Sequence, residues 1–241
     1  MTQVILYGVA SGFSLLIGAG IALYFSFSQK TIARFMAFGA GVLVCALTFG
    51  LMEEAFGLGG FDATIIGFLL GGLSFILGDY FILRLGGRHK RNHPPKNIDL
   101  NGRAIVLGSL LDGVPESVAL GIALFAGKGL GFLMLVAIFL SNLPEGLSSV
   151  PGLLREGFKK KFVVGMWLIA SFFLSLVVIL SFFFLREINP NNLGIIEAFA
   201  AGAILAMLAD TMMPEAFEEG GSATGLVTVL GFIVAFVASK L

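Results

Sequence analysis

Long apolar runs separated by short polar joints dominate the chain. Eight of these runs reach the about 20 residues that a membrane-spanning helix needs. They cover approximately 2–25, 33–53, 61–84, 103–126, 129–151, 162–185, 193–214 and 222–240. The predicted class is an all-α polytopic membrane protein, with one domain of eight transmembrane helices over residues 1–241. Residues 2–25 have no basic n-region and spread polar and small residues through their length, which predicts a retained span, not a cleaved leader. Spans 4 and 5 are weakened by polar residues at their centres.

Composition agrees with that pattern. Of 241 residues, 57% are apolar and 12% charged, with mean hydropathy +0.99. A soluble domain carries roughly 25% charged residues. The lone Cys45 lies in an apolar run, cannot form an intrachain disulfide, and is expected to pack. Formal net charge is zero, yet the basic residues are sorted. Lys30 and Arg34 follow span 1. Arg84, Arg88, Lys90, Arg91, Lys96 and Arg103 border the loop 85–102 after span 3, and Arg155, Lys159, Lys160 and Lys161 follow span 5. These are 12 of the 15 basic residues; the opposite side holds Lys128, Arg186 and Lys240. The positive-inside rule predicts cytoplasmic basic loops and both termini outside, in a protein integral to the plasma (inner) membrane. The joint after span 7 carries Glu218 and Glu219 without a basic residue, and acidic residues count little in that rule.

Spans 4 and 5 carry nearly the same polar insertion. One is Asp112-Gly113-Val114-Pro115-Glu116 and the other Ser141-Asn142-Leu143-Pro144-Glu145. A proline removes a helix hydrogen bond, and a carboxylate inside a membrane must find a partner or a cation. Asp112 and Glu116 are four apart and share a helix face; Asn142 and Glu145, three apart, share another. Each proline frees a carbonyl about one turn earlier, near Leu111 or Leu140, which can also coordinate a cation. Together the segments offer three carboxylates, an amide, the Ser141 hydroxyl and carbonyls. Such hard oxygen ligands suit Mg²⁺, Ca²⁺ or Mn²⁺ better than they select Zn²⁺, whose sites usually contain His or Cys. No predicted span contains His. The same carboxylates could exchange protons, hold Na⁺, or form a structural network with Asn142 and Ser141.

An internal repeat frames these two spans. Residues 36–56 and 197–217, offset by 161, match at Ala37/Ala198, Phe38/Phe199, Ala40/Ala201, Gly41/Gly202, Leu47/Leu208, Met52/Met213, Glu54/Glu215, Ala55/Ala216 and Phe56/Phe217. The predicted topology makes span 2 antiparallel to span 7. The expected plan is therefore 3+2+3, with spans 1–3 and 6–8 as inverted repeats around spans 4 and 5, a usual construction of secondary transporters. Gly39, Gly41, Gly71, Gly72 and Gly202 lie in small-residue runs that predict close helix approach.

These residues, in this order, resemble the ZIP family of divalent metal transporters. In that family spans 4 and 5 each carry a pattern close to His-Asn-x-Pro-Glu-Gly. Span 5 matches at Asn142, Pro144, Glu145 and Gly146, and span 4 at Pro115 and Glu116. The end of span 7, Asp210-Thr211-Met212-Met213-Pro214-Glu215-Ala216, is also similar. The resemblance implies a carrier that moves Zn²⁺, Mn²⁺, Fe²⁺ or a related ion as its substrate into the cytoplasm, in a homodimer. It also implies that Glu116, Asn142 and Glu145 are ligands of a metal centre. Asp112 and Ser141 stand where the family usually has histidines, and Gly113 where it has asparagine. Span 6 lacks the glutamate that many members carry. These departures imply one metal site in place of two, with altered ion preference.

Other polar positions are weaker candidates. Asp79, Asp210, Glu53, Glu54 and Glu215 could line a proton or metal path or attract cations at its mouths; capping, pairing and interfacial solvation are the alternatives. His89 and His93 sit among cations in loop 85–102, where metal handling competes with simple anchoring, and the basic run can contact anionic lipid. Nothing points to nucleic acid, and no nucleophile or cofactor motif accompanies the carboxylates, so the chain is not read as an enzyme. Two rival functions stay open: a non-transporting membrane sensor or interaction protein on this scaffold, and a proton- or sodium-coupled carrier of another solute.

Overall fold

The structure is a computed structural model that describes residues 1–84, 102–126, 129–155 and 157–240, with side chains from 107 onward in the second stretch. Most of the expected basic loop, including His89 and His93, lies outside the described residues. The described residues form helices α1 (Thr2–Tyr24), α2 (Gln29–Ala46), α3 (Glu53–Arg84), α4 (Gly102–Ala126), α5 (Leu130–Arg155), α6 (Lys160–Leu185), α7 (Pro190–Met207), α8 (Met213–Gly220) and α9 (Thr224–Ala238), with no strand among them. Wider π turns prolong α2 at Leu47–Met52 and α7 at Leu208–Met212. Among the described residues, six helical stretches are long and apolar enough to cross a membrane. The outer surface is compatible with lipid: Phe61, Leu69, Ile169 and Phe172 are each at least 60% exposed. In water such a surface would aggregate.

Two stretches, Gln29–Arg84 and Pro190–Ala238, run 56 and 49 residues and share their landmarks. Each opens on a polar cap: the Ser28 side chain accepts a hydrogen bond from the Thr31 amide at 3.1 Å, and that of Asn189 from the Asn192 amide at 3.0 Å. Such caps satisfy amides that have no partner within the helix. Each then reaches a π turn, beginning at Leu47 or Leu208, where the Thr48 hydroxyl donates to the Val44 carbonyl and the Thr211 hydroxyl to the Met207 carbonyl. Each finally turns at a glycine in a backbone region closed to other residues, Gly60 (φ 67°, ψ −166°) and Gly221 (φ 70°, ψ −155°). Ser28/Asn189, Leu47/Leu208 and Gly60/Gly221 are all 161 residues apart, the offset of the sequence repeat. The helices begin about a turn before the expected spans 33–53 and 193–214, because the caps extend them into the polar joints.

The packing obeys the same exchange. α3 packs along α7, and α2 along α9. A Cβ added at Gly71 would lie 1.9 Å from the Phe199 carbonyl oxygen, and one at Gly231 2.1 Å from that of Phe38, the repeat partner of Phe199. Gly202 approaches the Phe68 carbonyl and Gly41 the Thr228 carbonyl in the same way. Backbones this close are possible only without a side chain between them. Gly39 is also tight, whereas Gly72 has ordinary clearance, 3.6 Å from the Gly202 oxygen. α4 and α5 pack together, α4 also against α6 and α7 and α5 against α1 and α2, and α1 packs on α6. Cys45 is buried in the main core cluster.

Candidate functional site

The polar centre lies on the seam between α4 and α5. Pro115 and Pro144 interrupt hydrogen bonding without ending either helix, so the faces on both sides keep helical spacing. Ser109, Asp112 and Glu116 share the α4 face at intervals of three and four. Ser141, Asn142 and Glu145 answer from α5. The pairing is antiparallel: Ser109, one end of the α4 set, meets Glu145, while Glu116, the other end, meets Ser141.

Glu116 is the buried hub, 1% exposed. Its Oε1 accepts from the Ser141 hydroxyl at 3.1 Å, and the Asn142 side chain lies beside its carboxylate. Oε2 is buried and has no hydrogen-bond partner. The Ser141 hydroxyl faces a second acceptor, the Ile138 carbonyl, at 3.0 Å. One hydroxyl proton therefore serves two acceptors. Glu145, half-buried, accepts from the Ser109 hydroxyl at 2.7 Å. Asp112 is buried, and both it and Glu145 act electrostatically on Glu116. Three carboxylates gathered in a low-dielectric interior need compensating positive charge, from a cation or from protons.

All five residues expected at the centre, Asp112, Glu116, Ser141, Asn142 and Glu145, thus fall on one seam. Among the described residues, no three His, Cys, Asp or Glu side chains stand in metal-ligating geometry. A cation held here would draw on the hydroxyls and the amide as well as the carboxylates. The Leu140 carbonyl, freed by Pro144, faces α2: a Cβ at Gly39 would lie 2.7 Å from its oxygen. The α2 backbone therefore lies over that carbonyl.

The outlying acids are scattered. Asp79 is half-buried on α3, Asp210 is exposed on the second π turn, and Glu215 is half-buried in the first turn of α8. Glu53 and Glu54, exposed and half-buried, occupy the first turn of α3. Two residues escaped the sequence reading. Ser109 was recoverable, since it precedes Asp112 by three on one helix face. Glu197 on α7 is fully buried, and neither of its carboxylate oxygens has a hydrogen-bond partner. Its signal was the repeat itself, which sets it opposite Met36.

Fold and site define a class: an all-helical protein compatible with a membrane, carrying a buried carboxylate cluster between two proline-containing helices. Compared with protein-family models and with curated proteins, the chain matches none.

Proposed function

We propose that the chain is a divalent-cation transporter of ZIP-like design, with the α4–α5 seam as its substrate site. One observation carries the reading: Glu116, buried at the seam, is coupled to Asp112 and Glu145 and ringed by Ser141 and Asn142. A structural network would satisfy its carboxylates. Here Glu116 keeps a bare oxygen, and its neighbours are groups that can turn from hydrogen-bond donation to oxygen coordination.

The proposed topology supports that reading. A 56-residue helix is about 84 Å long, against a hydrocarbon core of about 30 Å, so it cannot cross once. Taking the breaks at Gly60 and Gly221 as membrane turns divides the six stretches into eight crossings in a 3+2+3 plan. The matched landmarks at offset 161 then become an inverted repeat. Transport proceeds by rocking or sliding of the outer layers around α4 and α5. The ion sheds water onto the carboxylates and leaves toward the side of the basic loops. All coordinating atoms are oxygen, which favours Mg²⁺, Ca²⁺ or Mn²⁺ over Zn²⁺.

The test is uptake of Zn²⁺, Mn²⁺, Fe²⁺, Co²⁺, Cd²⁺ and Mg²⁺ by proteoliposomes. Wild-type protein takes up at least one of these ions, and Glu116→Ala and Glu145→Ala fall to the protein-free background. Uptake retained in both variants contradicts the shared site. Cation binding without uptake in the wild type supports a sensor instead.

A further inference from the structure

Glu197 has no part in the α4–α5 seam. It is 0% exposed, and both of its oxygens are without a hydrogen-bond partner. One turn before it, Gly194 brings the α7 backbone against α3, where an added Cβ would lie 2.8 Å from the Ala55 carbonyl oxygen and 3.0 Å from the Gly59 amide. The π turn Leu47–Met52, which leads into Glu53 and Glu54, also packs on α7. Such turns interrupt regular helix packing and recur at functional sites.

The repeat removes packing as the reason for an acid here. The position equivalent to Glu197 is Met36, which is buried at 3% exposure. The frame thus accepts an apolar side chain of similar length in one half and carries a carboxyl in the other. Several charged or titratable groups lie on elements packed against α7: Glu53, Glu54, Asp62, Asp79, Tyr80 and Arg84 on α3, and Asp112 and Glu116 on α4. Asp210 lies on the π turn that continues α7. The charge of Glu54 bears on Glu197.

A carboxylate with no hydrogen-bond partner in a dry seam cannot stay ionised without a positive charge beside it. A divalent ion takes about six or more oxygen ligands, and two acids with no further donor at the Glu197 oxygens fall short of that. A proton needs one oxygen.

We propose that Glu197 is a proton-binding site whose loading and release are linked to the packing of α7 against α3. Releasing the proton to water leaves a carboxylate that must be hydrated, so release requires this seam to part. On the transport reading above, Glu197 makes cation movement dependent on the proton gradient.

Three proteins test this in lipid: wild type, Glu197→Gln, and Glu197→Met, which copies the repeat partner and preserves packing. By pH-difference infrared spectroscopy, the wild type gives a carbonyl band from a protonated carboxyl without hydrogen bonds, and both variants lose it. A band unchanged in the variants overturns the proton site. So does a band abolished by Mn²⁺ together with lower Mn²⁺ binding in Glu197→Gln, which would make this a metal site. In uptake assays an imposed pH gradient changes the wild-type rate several-fold and leaves Glu197→Met unresponsive. Wild-type gradient dependence in Glu197→Met overturns the coupling. A wild type with the band and no uptake of any cation removes the transport reading and leaves the proton site standing.

Discussion

The seams between the long helices and the seam at the centre are built from opposite materials. Where α3 meets α7 and α2 meets α9, glycines face bare carbonyls, and no Cβ can be added at Gly71 or Gly231 without a clash against backbone. Where α4 meets α5, serines, an amide and three acids face each other, and one hydroxyl proton is divided between two acceptors. The first kind of contact has a single close arrangement. The second can exchange partners, because each hydroxyl can donate or accept and each carboxylate offers several lone pairs. A frame that holds its geometry around a centre that trades ligands is what moving an ion through a dry interior requires.

The largest expected effect lies in the frame. Gly71→Leu and Gly231→Leu each destabilise the protein by about 3 kcal/mol or more, since neither facing carbonyl can retreat independently of its helix. Thermal unfolding in detergent reads this. Gly165→Ala, with nothing within 4 Å of an added Cβ, stays within about 1 kcal/mol of wild type. Equal tolerance at Gly71 and Gly165 would break the contrast between the seams.

The turns come next. Gly60→Ala and Gly221→Ala each cost about 1–3 kcal/mol, as both glycines hold backbone angles that a Cβ opposes. Similar losses at the two sites sharpen the repeat, and a loss at one alone weakens it. At the centre, Ser109→Ala removes the 2.7 Å hydrogen bond to Glu145 and lowers divalent-cation affinity by about 10-fold, with little change in melting temperature. A large melting shift without an affinity change would make that serine part of the frame. The smallest effects belong to the caps. Ser28→Ala and Asn189→Ala each cost about 1 kcal/mol, measured by the same unfolding assay.

Much of this arrangement could be read from the chain because it rests on local rules. The Pro-Glu insertions placed Asp112, Glu116, Asn142 and Glu145 on two facing helices by spacing alone. The nine matches between residues 36–56 and 197–217 gave the 161-residue offset at which the caps, π turns and turning glycines of the structure also recur. What stayed hidden depends on contacts between elements. No property of Ser109 in isolation marks it as the partner of Glu145. The burial of Glu197 depends on α3 and the π turn, which lie more than 110 residues earlier. The π turns themselves have no local sequence signature, and they became visible only through their common offset. Asp210, read from the chain as deep in span 7, has its side chain on an exposed face.

The central claim is that the α4–α5 carboxylates hold a divalent cation, and equilibrium binding of radioactive Mn²⁺ to purified protein tests it most directly. Wild-type protein binds the ion saturably, and the Glu116→Gln/Glu145→Gln double variant loses that binding while keeping its melting temperature. Saturable binding of equal affinity in that variant would contradict it.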